Sequence, residues 1–216
     1  MPDDASDHTT SRLSLYLRAL CCAEGRGRRL VASAELARAT GVKSALVRKD
    51  LAHFGQFGIR GVGYEIRSLR THIAGILGLD CDRNVVVIGA GNLGRALATA
   101  RNFNVAGFRT LALFDKDPAK ARDGSRGQLP VRPMRELPSF VRRNKIEVAV
   151  LAVPAAAAQP ALDSVIAAGI RAVLNFGPSR LEAPAGVHVR SVDLKIHLEG
   201  LAHWLCNHPL RDPASR

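Results

Sequence analysis

The stretch 85-VVVIGAGNLGRALA-98 decides the fold. Val85 to Ile88 is an unbroken β-branched run, the pattern of a strand buried on both faces of a parallel sheet. It feeds into Gly89-Ala90-Gly91-Asn92-Leu93-Gly94, and the residues after it read as the opening of a helix. Between a strand and a helix, this glycine spacing has a physical logic. The first glycine permits the tight turn, the second lets backbone approach a pyrophosphate, and the third lets helix pack closely on strand.

Working outward, "RTLALFD", "EVAVLAVP" and "RAVLNFG" repeat the buried-strand pattern, with helical segments between them. This βαβ alternation predicts a doubly wound parallel α/β sheet of the Rossmann type. Asp115 ends the second strand, 21 positions after Gly94. An acid there can accept both ribose hydroxyls of NAD and repel the 2′-phosphate of NADP, although Lys116 beside it leaves an opening for NADP. A dehydrogenase also needs a substrate pocket and a proton donor. The segment up to about Gly177 is used up by the nucleotide unit, and what remains is too short for a substrate domain. In that remainder Leu194, Leu198, Leu201 and Leu205 keep helical spacing with Trp204 beside them, an apolar stripe suited to packing or dimerisation. His197 and His203 are read as surface or packing residues of that helix.

Upstream the character changes, near "LGLDCDRN" (Leu77 to Asn84). From Ser11 to Leu79 there are 12 Lys and Arg against 4 acids. Within this basic module, "SAELARATGVKSALVRKDLAHFG" has the shape of a helix-turn-helix. Ser33 is placed to cap a short helix ending at Gly41, and Ser44 to cap the next. Val47, Leu51 and Phe54 give the second helix a core face, leaving Ala45, Arg48, Lys49 and Ala52 as a small, basic surface that fits a DNA major groove or, alternatively, a solvated helix of a small bundle. "GQFGIRGVGYEI" then reads as a tight hairpin with Arg60 at or near its tip. A recognition helix followed by a basic hairpin describes a winged helix, and a plain Gly-rich connector is the alternative.

Composition agrees. The 216 residues carry a net charge of +12 and 47% hydrophobic residues, so a sizeable core and a polyanionic partner are both expected. Cys21, Cys22, Cys81 and Cys206 form neither a C-x-x-C pair nor a zinc spacing, which points to a reducing cytosol and no metal. The acidic, polar "MPDDASDHTT" is no signal peptide, and no apolar run reaches a membrane span. The organisation expected is a tail at residues 1–10, a winged-helix DNA-binding domain at 11–80, a Rossmann NAD(H)-binding and dimerisation domain at 81–206, and a second tail at 207–216.

The chain also resembles the Rex family of redox-sensing transcriptional repressors from about Arg12 to Leu205. The similarity is carried by "SRLSLYLRAL", "ELARATGVKSALVRKDLAHFGQFGIRGVGY", "ILGLD", "VVVIGAGNLGRALA", "FDKDP", "LAVPAAAAQ", "LNFGP" and "VDL". It implies a cytoplasmic homodimer, no enzymatic turnover, and release from an inverted-repeat operator when NADH binds. Ser44, Arg48, Lys49 and His53 would meet DNA from the recognition helix, and Arg60 from the wing. Gly89, Ala90, Gly91, Asn92, Leu93, Gly94 and Asp115 would hold the adenosine half of the cofactor. Val153, Pro154, Ala155, Asn175 and Phe176 would lie near the nicotinamide. The family's switch pairs an acid in "VDL", here Asp193, with an arginine of the first helix, here Arg12, and with a tyrosine whose place is taken here by Ala100. An N-cap of the final helix is the plainer role for Asp193. The readings from other classes are a small NAD-dependent oxidoreductase or a CoA-binding module.

Overall fold

Apolar stripes at two different periods build two different units, Met1–Cys81 and Asp82–Arg216. The computed structural model describes residues 7–59, 61–100, 107–117, 120, 129–178 and 180–208.

In the first unit the stripe Leu13, Tyr16 and Leu20 buries one face of α1 (Asp7–Gly25). The helix begins within the segment expected as a tail. A helical side chain covers the turn N-terminal to its own Cα, so the Leu13 stripe supports one turn more than its spacing alone suggests. β1 (Leu30–Val31), α2 (Ser33–Thr40) and α3 (Ser44–Phe54) follow. The turn between α2 and α3 is made at Gly41, whose φ of 70° closes α2 in the left-handed region. Ser33 and Ser44 are expected from the sequence to cap these helices, and neither does. Ala32 and Lys43 are the cap residues, and Ser33 and Ser44 are the first helical residues. The Ala32 N–H is satisfied instead by the carboxylate of Glu35, 2.8 Å away.

β2 (Gly58–Ile59) and β3 (Gly63–Glu65) pair antiparallel, β1 joins on the other side of β3, and α4 (Ile66–Ile76) returns across the core. This is a winged helix, with Val47, Leu51, Leu36, Ile66, Leu69 and Ile73 packed on the α1 stripe.

The second unit is a six-stranded, all-parallel sheet. Its strands are β4 (Arg83–Ile88), β5 (Phe108–Asp115), β6 (Val131–Pro133), β7 (Ile146–Leu151), β8 (Ala172–Asn175) and β9 (His188–Ser191). The order is β6-β5-β4-β7-β8-β9, the doubly wound Rossmann arrangement. β4 lies centrally, with Val86 opposite Ala112 on one side and Ala149 on the other. Its side chains alternate between the two faces: Val86 and Ile88 pack with Phe114, Phe140 and Leu162, while Val85 and Val87 pack with Leu113, Ala90 and Ala98. The helices α5 (Asn92–Thr99), α6 (Leu137–Asn144) and α7 (Ala155–Ala167) accompany the sheet. A final helix, α8 (Leu194–Asn207), leaves its large apolar side chains in solvent.

Candidate nucleotide site and nucleic-acid interface

The chain reverses at Gly89 because β4 ends against β5: the Gly89 N–H donates to the Phe114 carbonyl at 2.7 Å. Its φ of 102° belongs to the region that favours glycine, and a Cβ there would overlap the Ala152 carbonyl oxygen. Gly94 is equally constrained by packing, since a Cβ would overlap the Gly89 carbonyl oxygen. Gly91 differs. Its φ of −76° and ψ of −174° suit any residue, and a Cβ would meet nothing within 4 Å. Among the described residues no atom requires glycine at this position, whereas a group lying against the loop would. Gly91 caps α5, whose first-turn N–H groups have no acceptor within the helix and form an anion-binding terminus.

Asp115 ends β5 beside this loop. Its Oδ2 accepts from the Ala90 N–H at 2.8 Å and its Oδ1 from the Asp117 N–H at 2.9 Å, with the Lys120 ammonium 3.3 Å from Oδ2. Burial alone would raise the carboxyl's pKa, but the two N–H groups and Lys120 more than offset this and hold it below the usual aspartate value. The same carboxylate therefore fixes the glycine loop. Arg95, one turn into α5, closes the loop from the other side by donating from Nε to the Ala90 carbonyl at 3.0 Å.

The ends of β7 and β8 converge on the same edge. The Ala152 N–H donates to the Ile88 carbonyl and the Phe176 N–H to the Leu151 carbonyl, so the three C-terminal strand ends are tied in series. Val153 borders Gly89, Pro154 and Ala155 open α7 in solvent, and Phe176 packs on the core group that contains Ala90. Asn175 is fully buried, and its amide serves the protein. Oδ1 accepts from the Gly177 N–H at 2.8 Å, and Nδ2 donates to the Gly177 carbonyl and to Ser191 Oγ, both at 3.1 Å. The side chain shapes the NFGP loop. The crevice between β4 and β7, where the strand order reverses, is where doubly wound sheets bind ligands.

In the first unit α3 buries Val47 and Leu51 and exposes Ala45, Arg48, Lys49, Ala52 and His53. Arg48 Nη1 donates to Ser44 Oγ at 2.7 Å and to Ser33 Oγ at 3.2 Å, so the two serines that do not cap helices orient this guanidinium. Ser33 had not been expected in this role. Arg60 lies outside the described residues.

Arg12 is committed within its own unit. It grips Asp50 of α3 with both prongs, Nε to Oδ2 at 2.6 Å and Nη2 to Oδ1 at 2.8 Å, and Tyr16 donates its hydroxyl to Oδ2 at 2.8 Å. Asp50 is 4% exposed and Tyr16 fully buried. Burial would raise the Asp50 pKa, but hydrogen bonds from Arg12 and Tyr16 bring it below the usual value. Burial and the bond to Asp50 push the Tyr16 phenol well above its usual value. The sequence signal for this network is an aspartate at the centre of a core-facing helix side. In the second unit, Asp193 caps α8, accepting from the Lys195 N–H at 2.8 Å. Ala100 closes α5 with its N–H on the Ala96 carbonyl.

Among the described residues no group of His, Cys, Asp or Glu could hold a metal ion, and no helix is long and apolar enough to cross a membrane.

Residues 80–179 match the CoA binding domain family, and residues 4–52 match a family of DNA-binding protein N-termini. The chain is 46% identical over 194 residues to the redox-sensing transcriptional repressor Rex of Carboxydothermus hydrogenoformans, covering 89% of this chain and 92% of the relative. It is similar to the crystal structure of RSP in complex with β-NAD+ and operator DNA, with a TM-score of 0.88, 33% identity, and 96% and 95% of the two chains covered. The crystal structure of RSP in complex with β-NADH aligns with a TM-score of 0.84 and 32% identity, over 95% and 96% of the chains. With this identity along nine-tenths of its length, the chain belongs to the Rex family of redox-sensing transcriptional repressors.

Proposed function

We propose that this protein is an NADH-responsive repressor that binds an inverted-repeat operator as a cytoplasmic homodimer and leaves it when NADH occupies the crevice at the β4 and β7 ends. The observation that carries the reading is the junction, in one chain, of a helix presenting Arg48 and Lys49 with a parallel sheet whose switch point carries Gly89 to Gly94. The residues fit the nucleotide. Gly91 leaves the space a pyrophosphate needs, the α5 terminus supplies N–H donors, and Asp115 stands where a ribose would be read. A carboxylate has about four lone-pair positions. Ala90, Asp117 and Lys120 take three of those on Asp115, so a ribose diol takes the remaining position and that of Lys120. Val153, Pro154, Ala155 and Phe176 wall the nicotinamide end, and Asn175 serves by shaping its loop. Val153, Pro154, Ala155 and Phe176 carry no charge, which favours the uncharged reduced ring over the cationic oxidised one.

On the DNA side Arg48 and Lys49 enter the major groove, with Ser44 and His53 flanking them and Arg60 on the wing. Dimerisation falls to α8, where Leu194, Ile196, Leu198, Leu201, Trp204 and Leu205 are each 54–64% exposed, too large an apolar face for a lone helix. A dimer places two recognition helices at half-sites about 34 Å apart, so a small rotation between subunits displaces one of them. NADH acts only through its preference for the displaced shape, and a coupling of about 1–3 kcal/mol changes operator affinity about 5- to 150-fold. Any exchange of Arg12 toward Asp193 has to compete with Asp50, or use Nη1, which has no hydrogen-bond partner among the described residues. No substrate is turned over, and no metal takes part.

The match to the CoA binding domain family favours a second reading, a CoA site on the same sheet. Asp115 speaks for a free ribose diol over the phosphorylated ribose of CoA. Binding of the wild-type chain and of Asp115→Ala to the duplex it selects, titrated with NADH and separately with CoA, tests both. The proposal expects NADH to release the wild type while Asp115→Ala stays bound at the same concentrations. Release by CoA alone, or equal release of the variant, overturns it.

A further inference from the structure

Apolar contacts are non-directional, and cores tolerate repacking when volume and pattern are kept, so they fix the roll of a helix less sharply than directional bonds do. A fork-to-fork ion pair is directional, since two parallel N–H to O bonds fix both distance and direction. On α3, Asp50 lies about 200° round the helix from Arg48 and about 100° from Lys49. It therefore sits on the side turned inward when those cations face outward. There its two oxygens take Arg12 Nε, Arg12 Nη2 and the Tyr16 hydroxyl, all from α1, and Arg12 Nη2 is itself steadied by Thr9 Oγ1 at 3.2 Å. With Asp50 4% exposed, water offers the carboxylate no substitute partner.

We propose that Asp50 is a positioning residue for DNA reading: gripped by Arg12 and Tyr16 of α1, it sets the roll of α3 and so the direction in which Arg48 and Lys49 meet base edges. The role rests on the reading of α3 as the recognition helix. It is a statement about discrimination between sequences. Phosphate contacts tolerate a rolled helix because long cationic side chains reach oxygens from many directions, whereas base edges accept hydrogen bonds from few.

The test measures two affinities of the full-length chain at one fixed salt concentration. One is for a duplex that the wild type enriches from a randomised pool, the other for a scrambled duplex of the same length and composition. Their ratio is the readout. A variant that merely folded less would lose affinity for both duplexes in proportion and keep the ratio. Asp50→Asn, which cannot accept from Arg12 and Tyr16 through two carboxylate oxygens, is expected to lower the ratio about tenfold, the worth of one base-reading contact. Tyr16→Phe, which removes a single hydroxyl and keeps the packing, is expected to lower it in the same direction by a smaller factor, and it decides alone if Asp50→Asn fails to fold. A discriminating wild type whose variants keep the ratio within twofold overturns the role of Asp50 and leaves the repressor reading standing. A wild type that enriches no duplex overturns both.

Discussion

Replacing Gly91 by alanine separates the nucleotide from the fold. The backbone at Gly91 already has a conformation open to any residue, and among the described residues the new methyl meets no atom within 4 Å. Two small stability terms oppose each other. Fewer unfolded conformations stabilise the variant by about 0.4–1 kcal/mol, and the preference of a helix N-cap for glycine over alanine costs about 0.5–1 kcal/mol. The net lies within about 1 kcal/mol, which for a chain of this size moves Tm by no more than about 4 °C. Binding is another matter. If the pyrophosphate lies against Gly91, the methyl overpacks a close contact at about 1–3 kcal/mol, a loss of about 5- to 150-fold in affinity. NADH fluorescence titration and thermal unfolding of the nucleotide-free chain measure the two quantities. Gly94→Ala is the contrast, because its methyl overlaps the Gly89 carbonyl oxygen and the loop itself must shift, lowering Tm. Wild-type NADH affinity in Gly91→Ala would refute the reasoning, since it would show that nothing approaches the loop at its second glycine.

Three further outcomes follow from the same geometry. Arg48→Ala is expected to weaken operator binding at least about fivefold while leaving NADH affinity alone, checked by anisotropy and fluorescence titration. Leu201→Glu, on the exposed face of α8, is expected to yield a monomer by light scattering and a matching loss of operator affinity. Because the Asp50 carboxyl is held below its unfolded-state pKa, the unfolded chain takes up its proton first on acidification. Its stabilising contribution is complete above about pH 4 and disappears as pH falls through the lower folded value. The Tm of the wild type should therefore drop more steeply below about pH 4 than that of Asp50→Asn.

Much of this architecture was written in local pattern. The four apolar runs became β4, β5, β7 and β8 because a strand buried on both faces has to be apolar throughout. β6 and β9 escaped notice because they are short and lie at the sheet edges, where Arg132, His188 and Arg190 are tolerated. The roles of Gly89 and Gly94 were legible from spacing, since both arise from contacts within the motif and with the next strand end. That of Asn175 was not, because its partner Ser191 comes within reach only once β8 and β9 are paired. Serine before a helical pattern suggested caps, but both helices begin one residue earlier, and at α2 it is Glu35 that satisfies the Ala32 N–H. Arg12 was read for what it would do across domains. Its grip on Asp50, 38 positions away, is a tertiary fact that spacing on α1 could not contain.

Whether bound NADH and bound operator oppose one another is measured most directly by a single titration: operator affinity of the wild-type chain against rising NADH at fixed salt, with NAD+ as competitor. Affinity is expected to fall about 5- to 150-fold as NADH saturates and to be restored as NAD+ displaces it. An operator affinity that stays constant while NADH fluorescence shows the site filled would contradict this expectation.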